Sequence, residues 1–425
     1  MKICVIANRF RVDQFRSLVA ALITLGHDVF YWVDTADAMA GAAATKRTIL
    51  DHRFDLGISA DWCFFADPSS PLNRRLDGFP PFINLCFNSP FDALLELSAH
   101  RDIPGFLVEN RIWLGLLSPL DHRALAAFGV TRHVDLPVGL IDRCLIYGDD
   151  DRLFPVGFMP AAQHQAYLQP QAALRDRLAG RYAEATEALD LVYFGSAALH
   201  VSDDIPTFCF GPIAPRLPRP FSAYVADYGD FDPDITPDRR WARIDDYLAQ
   251  LPEFAGADPL VWLLRRRLGA QLERGHRLAM RRARIRALQD RHGPRLALFG
   301  DDWARFGIAA RPAEAETGPL RYHASAISLD FGSLSYDSLM FPRSCDIVQH
   351  GGFLLQARLA DSDALLGDLA PAVTFAGQDD MLDRTDRWLA DPAGRRDAAA
   401  GIAARLGRAY DLPRLIDDAI SRVLA

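Results

Sequence analysis

The chain has 425 residues, of which 47 are lysine or arginine and 55 are aspartate or glutamate, so its formal net charge is −8. Because a single hydrophobic core stops growing at about 250–300 residues, this length predicts two domains. The acidic balance excludes a surface built to neutralise nucleic-acid phosphates, and a content of 50% hydrophobic and 24% charged residues excludes a disordered chain or a coiled coil.

Strands and helices alternate through residues 1–150, which we predict to form the first domain. The predicted elements are strands at 2–7, 29–33, 54–59 and 81–87, helices at 15–25 and 122–128, and a last strand that ends at 136–139. Gly26 follows the first helix, where a C-cap glycine is expected. Such βαβ units predict a parallel sheet with helices on both faces.

A second domain is predicted over residues 151–407, because the alternation of strands and helices restarts there. Its predicted elements are a connection at 149–170, a helix at 172–189, a strand at 191–194, a proline-rich surface loop at 211–238, helical sequence from 240 to 292, a strand at 295–299, and helices at 382–389 and 394–406. A helical and proline-rich insertion therefore spans residues 211–292. The final segment, 408–425, contains an amphipathic helix at 412–424.

Arginines are frequent in the helical part of this insertion. They could bind a phosphate or an acidic acceptor, or they could form a solvated helix face with neighbouring acids. The second explanation is the commoner one for a run of charges, and it is our expectation here. The arginines concerned are Arg265, Arg266, Arg267, Arg281, Arg282, Arg284 and Arg286.

The cysteines and the N-terminus both predict a cytoplasmic protein. The six cysteines are scattered without a CxxC pair, which is typical of buried thiols in a reducing compartment. The opening residues, MKICVIAN, have the pattern of a strand rather than that of a signal peptide. No run of about 18 apolar residues predicts a transmembrane segment, and peripheral membrane contact is left open.

Residues 329–355, LDFGSLSYDSLMFPRSCDIVQHGGFLL, are the most informative segment of the chain. An apolar strand passes into small polar residues, a helical stretch with Arg343 and Asp346 follows, and Gly351-Gly352 precede a second apolar run. Helix N–H groups and an arginine suit a diphosphate, and a carboxylate suits the hydroxyls of a ribose. The segment therefore predicts a strand–helix–strand unit with a nucleotide site.

Several motifs follow one another from residue 295 to the C-terminus. They are LALFGDDW (296–303), RYHASAISLDF (321–331), the spacing of Arg343, Asp346 and Gly351-Gly352, and VTFAGQDDMLDRTDRWLADPAGRRDAAAGIAARLG (373–407). In these motifs the chain resembles the glycosyltransferase domain of the CgeB/spore-maturation type, a branch of the GT-B group. The first domain agrees in outline through INLCFNSP (83–90) and LPVG (136–139). The resemblance implies an α/β GT-B fold, in which two Rossmann-like domains face a central cleft and the C-terminal helix crosses back to the first domain.

The resemblance also implies that the second domain binds a nucleoside-diphosphate sugar. Asp346 is the candidate for the ribose hydroxyls, and Arg343 is the candidate for the diphosphate, on which negative charge grows as the bond to the sugar breaks. The other donor-binding candidates are small residues near strand ends or helix starts and one tyrosine that could stack on the base: Gly195, Ser196, Gly300, Tyr322, Ser333, Ser335, Gly351 and Gly352. Each also has a structural explanation, since serines cap helices, glycines form turns and tyrosines fill cores.

An inverting transfer needs a general base on the acceptor side, in the first domain. Asp61 follows a predicted strand and is the candidate, with Glu109 and His133 as further options. The acceptor-side candidates are Asn8, Arg9 and Asn88.

The predicted function is transfer of a sugar from a nucleoside-diphosphate sugar to a hydroxyl of a glycan, a protein or a small molecule, with no metal or other cofactor required. The chain lacks GxSxG, a Walker loop, HExxH and, after its first strand, GxGxxG, which argues against other common reaction classes. Two departures from the family pattern leave alternatives open. Asp346 stands where relatives usually have Glu, and Asn88-Ser89-Pro90 stand where relatives often have Asp–x–Pro. The alternatives are a non-catalytic GT-B-like protein that binds a nucleotide sugar or a glycan partner, and a nucleotide-sugar epimerase.

Overall fold

The computed structural model describes residues 1–8, 12–34, 51–60, 80–86, 102–116, 125–126, 128–136, 157–159, 180, 189–197, 218–255, 259–311, 318–334 and 342–425. The chain divides into two compact units. The first unit comprises residues 1–180 and 410–425, and the second comprises residues 181–409.

The first unit is built on a sheet whose described strands run in the order β6-β5-β4-β3-β1-β2-β7. The strands are β1 Lys2–Asn8, β2 Asp28–Asp34, β3 Leu56–Ala60, β4 Phe82–Cys86, β5 Ile112–Leu116, β6 His133–Asp135 and β7 Gly157–Met159. Strands β1 to β6 are parallel, and β7 pairs with β2 in the antiparallel direction. Residues 157–159, which the sequence placed in the second domain, therefore belong to the first sheet.

Alternate residues of β1 face opposite sides of this sheet, as the two-residue period of a strand requires. Ile3, Val5 and Ala7 join a core with helix α1 (Val12–Thr24), whereas Cys4 and Ile6 pack on the other face with aromatic rings. The strand–helix–strand start is thus as predicted, and Gly26 takes a φ of +82° just after α1. Helix α2 (Ile103–Glu109) precedes β5.

The second unit contains a parallel sheet in the order β12-β11-β10-β8-β9. Its strands are β8 Leu189–Phe194, β9 Leu296–Phe299, β10 Ser325–Asp330, β11 Leu354–Ala357 and β12 Thr374–Phe375. In both units the first strand of the parallel sheet lies between the second and the third, so successive strands are added on one side of it and then on the other. This doubly wound order creates a crevice between the first and third strands at their carboxyl ends.

An insertion of helices separates β8 from β9. Its helices are α3 Phe221–Tyr228, α4 Pro237–Ala249 and α5 Pro259–His292. The prediction of one proline-rich loop over 211–238 is wrong for residues 221–228, because Pro220 occupies the N-cap position and leaves the helix interior free of proline. The helical sequence after residue 240 divides in two around the short turn Pro252–Phe254.

The remaining helices follow β9 in chain order. They are α6 Gly318–Ala324, α7 Pro342–Gln349, α8 Ser362–Leu366, α9 Ala370–Val373, α10 Gln378–Ala390, α11 Pro392–Ala409 and α12 Leu412–Leu424. Although α12 ends the chain, it packs on α1 and β6 in the first unit. The predicted α/β class, with two Rossmann-like units and a C-terminal helix that returns to the first, is confirmed. None of the described helices combines the length and the apolar character that crossing a membrane demands.

Candidate functional site

The candidate site is the carboxyl edge of the second sheet, which we define as residues 195–197, 300–302 and 331–333 at the ends of β8, β9 and β10. β8 and β10 are the first and third strands of a doubly wound sheet, and ligands of such sheets bind in the crevice between those strand ends. Predicted donor residues Gly195, Ser196, Gly300 and Ser333 all lie on this edge. The structure thus brings together residues from three segments that are far apart in the sequence.

Glycine is required where β9 ends, next to the end of β8. Gly300 has a φ of +133°, and a Cβ atom there would lie 2.4 Å from the carbonyl oxygen of Gly195. The same Gly195 oxygen accepts a hydrogen bond of 2.6 Å from Nε1 of the buried Trp303. The two strand ends therefore approach backbone to backbone, which leaves the edge free of side chains at this point.

Arginines from α5 reach the same strand ends. Arg277 Nη1 donates to the Ser333 carbonyl at 2.8 Å. Arg281 bridges the crevice, since its Nη1 donates to Ser196 O at 3.2 Å and its Nη2 donates to Gly332 O at 3.4 Å. Four residues apart, the two arginines share one face of the helix.

The expectation of a solvated arginine face is therefore wrong for part of α5. Arg281 is only 5% exposed, and Arg267 and Arg284 are also buried, because this face of the helix is covered by the rest of the second unit. Arg265 and Arg286, by contrast, donate to backbone carbonyls at exposed positions. Helical periodicity alone does not distinguish these two faces, since both carry the same residue type.

Burial removes water from these guanidinium groups and so disfavours their charged form. Desolvation lowers the pKa of Arg281, and it lowers the pKa of Arg284 to about 10, which leaves Arg284 charged at neutral pH. Among the described residues, no carboxylate forms an ion pair with Arg281, and no atom accepts a hydrogen bond from its Nε. A buried charge without a counter-ion costs free energy, which an anionic ligand would recover.

Asp330, the last residue of β10, holds the start of α7 against the carboxyl edge. Its carboxylate is fully buried and accepts hydrogen bonds from Arg343 Nη1 at 2.9 Å, Ser344 Oγ at 2.6 Å, Gln356 Nε2 at 3.2 Å and the Gly332 amide at 3.0 Å. Sequence reasoning did not select Asp330. The available signal was an acidic residue at the end of an apolar strand, directly before an aromatic and a glycine.

Arg343 is consequently a fixed cation rather than a mobile surface side chain. Burial lowers its pKa, but the nearby Tyr193 phenol and the Asp330 carboxylate more than offset this, and the net pKa lies above the ordinary value. Its guanidinium also lies 5.3 Å from the centre of the Tyr193 ring. Arg343 stands in the first turn of α7, whose N-terminal amides favour an anion.

Asp346 lies one turn further along α7 and is 1% exposed. The carboxylate is therefore covered, and a ribose would reach it only after neighbouring side chains move. Burial, together with the charges of Asp346 and Asp330, raises the pKa of the adjacent Cys345 thiol.

Three other predicted donor residues, Gly351, Gly352 and Tyr322, are not part of the carboxyl edge. Gly351 and Gly352 precede β11 and so stand at the opposite end of the strands. Gly351 has a φ of +73°, and a Cβ atom on Gly352 would lie 3.0 Å from the carbonyl oxygens of Ile347 and Tyr322, so both serve a tight turn. Tyr322 is 6% exposed, and its ring packs edge-on against Phe194 at 5.0 Å.

In the first unit the structure shows the strands that carry the acceptor-side candidates, but most of the side chains lie outside the described residues. Arg9, Asp61, Asn88 and the side chain of Asn8 are not described. Ser335 of the second unit also lies outside the described residues. β1 ends at Asn8 and the adjacent β3 ends at Ala60, and these two strands flank the first crevice. Glu109 and His133 lie at the amino ends of β5 and β6, at the edge of the sheet opposite to the carboxyl ends of the strands.

Within the described residues, no group of three or more histidine, cysteine, aspartate or glutamate side chains could hold a metal ion.

Comparison with known proteins gives similarity in structure only. No family model and no curated protein sequence matches the chain. Among solved structures it is similar to a DNA-modifying β-glucosyltransferase, studied with and without uridine diphosphoglucose, at 10% identity and a TM-score of 0.48, with 100% of this chain and 99% of that chain covered.

Two further solved structures give similar values. An α,α-trehalose-phosphate synthase (UDP-forming) from Burkholderia vietnamiensis shows 14% identity and a TM-score of 0.47. The T4 phage enzyme BGT, in complex with UDP and Mn²⁺, shows 10% identity and a TM-score of 0.44. Each alignment covers 100% of this chain and 99% of the other. Identities this low transfer no residue, substrate or reaction to the present chain.

Proposed function

We propose that this chain is a glycosyltransferase that moves a sugar from a nucleoside-diphosphate sugar to a hydroxyl of a glycan, a protein or a small molecule. The observation that supports this function best is Arg281, a buried guanidinium that bridges the crevice between β8 and β10 and has no acidic ion-pair partner among the described residues. A diphosphate supplies the missing negative charge at the position where doubly wound sheets bind ligands.

The chemistry of the leaving group explains why several cations converge there. Negative charge on the diphosphate grows as its bond to the sugar breaks, and fixed positive groups stabilise this charge more in the transition state than in the bound donor. Arg277 and Arg281 hold the strand-end side of the diphosphate, while Arg343 and the start of α7 hold the other side. Because these groups are pre-positioned, little reorganisation is needed during the reaction.

The remaining roles follow the sequence resemblance. Asp346 accepts from the ribose hydroxyls, Asp61 acts as the base in an inverting transfer, and Asn8, Arg9 and Asn88 contact the acceptor. The proposal requires no metal, since the guanidinium groups supply the positive charge. Buried thiols at Cys4 and Cys345 favour a reducing compartment, and we place the reaction in the cytoplasm.

Two other functions share the same nucleotide site. A non-catalytic protein would bind a nucleotide sugar and leave it intact, and an epimerase would change the sugar without releasing it to an acceptor. Both are distinguished from a transferase by the products formed from the bound donor.

The first test is a thermal-shift and calorimetric screen with UDP, GDP, TDP and CMP and with their sugars. We expect one nucleoside diphosphate to raise Tm and Arg281→Met to weaken its binding at least tenfold, because the central cation is lost. Arg286→Met removes an exposed arginine of the same helix and should leave the affinity unchanged. Asp346→Ala should also abolish the shift if Asp346 holds the ribose.

Donor turnover is then followed with and without acceptors. Release of free nucleoside diphosphate together with a glycosylated or hydrolysed product supports the transferase. If no nucleotide binds the wild-type chain, the proposed function is wrong. Binding without any turnover would favour the non-catalytic alternative.

A further inference from the structure

A second unpartnered polar group lies at the carboxyl edge, close to Arg281. Tyr193, on β8, is fully buried, and within the described part of the chain its hydroxyl has no hydrogen-bond partner. A buried phenol in this state has given up the hydrogen bonds that it makes to water in the unfolded chain, and this loss costs free energy. The hydroxyl therefore needs a further partner, which is either a water molecule or a ligand.

The packing of the ring fixes the position of this hydroxyl. Tyr193 stacks on Phe331 with ring centres 4.6 Å apart and stands edge-on to Trp303 at 6.3 Å. A Cβ atom on Gly195 would lie 2.7 Å from the Tyr193 hydroxyl oxygen. Because Gly195 has no side chain, the phenol has room to reach the end of β8. The hydroxyl thus lies at the carboxyl edge and not in the middle of the sheet.

Guanidinium groups lie near the phenol. Burial lowers the pKa of Arg281 and Arg284, and in both cases the Coulombic effect of Tyr193 acts against this lowering, so the phenol is close to both groups. The Nε of Arg281 is also buried and, among the described residues, without an acceptor. Asp330 acts on Arg281 electrostatically, but its carboxylate accepts hydrogen bonds from other groups. Two unused donors, one charged and one neutral, therefore occur together, and a phosphate has enough oxygen atoms to accept from both.

We propose that Tyr193 is a further binding residue for the nucleoside-diphosphate sugar, and that its hydroxyl donates a hydrogen bond to a phosphate oxygen beside Arg281. This inference rests on the proposed function and deepens it. The diphosphate reaches the hydroxyl when Arg281, which spans the crevice, exchanges its bonds to the Ser196 and Gly332 carbonyls for bonds to phosphate. The exchange is favourable because a phosphate oxygen, unlike a carbonyl oxygen, carries a charge opposite to that of the guanidinium.

A purely structural role predicts a different effect on the free energy of unfolding. If an internal water molecule were the partner of the hydroxyl, Tyr193→Phe would remove one hydrogen bond from that water, and the ligand-free protein would lose stability. In our proposal the hydroxyl has no partner until the diphosphate binds, so its removal stabilises the ligand-free protein or leaves it unchanged. Only the proposal combines undiminished stability with weaker binding of the diphosphate.

The test compares Tyr193→Phe with the wild type and with Tyr224→Phe. The Tyr224 side chain is also fully buried, but it belongs to α3 and not to the carboxyl edge. Calorimetry gives the dissociation constant of the nucleoside diphosphate that binds the wild type, and competition gives that of its nucleoside. Urea denaturation measures the stability of each protein without ligand.

We expect Tyr193→Phe to weaken nucleoside-diphosphate binding about tenfold, to leave the nucleoside affinity unchanged, and to unfold at the same or a higher urea concentration than the wild type. Tyr224→Phe should match the wild type in both affinities. Unchanged diphosphate affinity in Tyr193→Phe, an equal loss for the nucleoside, or a lower stability without ligand would overturn the inference while the proposed function stands. A wild type that binds no nucleoside diphosphate would overturn both.

A measurement on the unaltered chain answers the same question if Tyr193→Phe does not fold. Tyrosine is labelled with ¹³C at Cζ, and its resonances are recorded with the nucleoside and with the nucleoside diphosphate. We expect the diphosphate to shift a tyrosine resonance that the nucleoside leaves in place and that Tyr224→Phe retains. Identical tyrosine spectra with the two ligands would overturn the inference.

Discussion

At the end of β10, four donors from separate parts of the chain meet on the Asp330 carboxylate. A buried carboxylate is stable only when its lone pairs are satisfied, and here an arginine, a hydroxyl, an amide side chain and a backbone N–H achieve this. The consequence reaches the candidate site, because the same carboxylate fixes Arg343 at the start of α7. Asp330 thus links the stability of the second unit to the geometry of the candidate site.

Asp330→Asn should therefore affect both properties. The amide replaces one acceptor by a donor that faces Arg343, so we expect the free energy of unfolding to fall by about 3 kcal/mol and the affinity for a nucleoside diphosphate to fall as well. Urea denaturation and calorimetry measure the two effects. Asp363→Asn, which breaks the solvent-exposed pair with Arg358, is the control and should change neither. A stable Asp330→Asn variant with wild-type affinity would contradict the assigned role.

At the scale of elements, α5 is the helix that organises the second unit. It spans Pro259–His292; its arginines reach the carboxyl edge on one side, and its His276 contacts the segment of α3 on another. His276 Nε2 and the Tyr228 hydroxyl share a hydrogen bond of 2.7 Å, and Nδ1 lies 3.3 Å from Asp232 O. The histidine is fully buried, so the insertion contains a titratable group without contact to solvent.

This arrangement predicts a pH-dependent stability. Burial lowers the pKa of His276 below its ordinary value, and the nearby Arg243 and Arg240 act in the same direction. The unfolded chain, with a histidine pKa of about 6.5, therefore takes up the proton first as pH falls. Stability that is present above pH 6.5 is lost below it. We therefore expect the urea concentration at the unfolding midpoint of the second unit to be lower at pH 5.5 than at pH 7.5.

His276→Gln is the variant that isolates this contribution. It should show a smaller difference between the two pH values than the wild type, whatever its absolute stability. Burial also lowers the pKa of His292 at the end of α5, so part of the pH dependence should persist in the variant. An identical dependence in both proteins would mean that His276 does not titrate on unfolding.

At the scale of the whole molecule, the chain begins and ends in the same unit. Helix α12 has its buried residues on one face, where they join the core formed by β1 and α1: Leu412, Ile416, Ala419, Ile420 and Val423. The first unit is therefore complete only after the second has been synthesised. Truncation at residue 409 would expose an apolar face of the first unit.

Replacement of one buried residue in α12 tests this dependence. Ile416→Ala should destabilise the first unit by about 2–5 kcal/mol, because a buried aliphatic side chain is removed from a close-packed core. Hydrogen exchange should then accelerate at the amides of β1 and remain unchanged in β8 and β10. The exposed Asp417→Ala is the control, and equal acceleration in both units would contradict the assignment of α12 to the first.

Features that depend on residues close together in the sequence could be predicted, whereas features that depend on contacts between distant segments could not. Apolar periodicity located β1, α1, β2, β4, β9 and α12, because a strand or a helix face is set by neighbours within a few residues. The same patterns place Gly195, Gly300 and Ser333 just after apolar strands, although they do not show that these residues are close together. They also place the Gly351-Gly352 pair before an apolar run, and the structure shows that run as β11, so the pair lies at the amino end of this strand.

By itself, then, the sequence determined an α/β chain of two units, with a strand–helix–strand segment around Arg343 suited to an anion. Only the tertiary structure decided which charges lie at the carboxyl edge of the second sheet. Arg281 and Arg286 have the same chemistry on the same helix, yet one lies buried in the crevice and the other faces solvent. The difference arises from what packs against each face, and contacts between segments as distant as residues 196, 281 and 332 have no periodic signature in a single sequence.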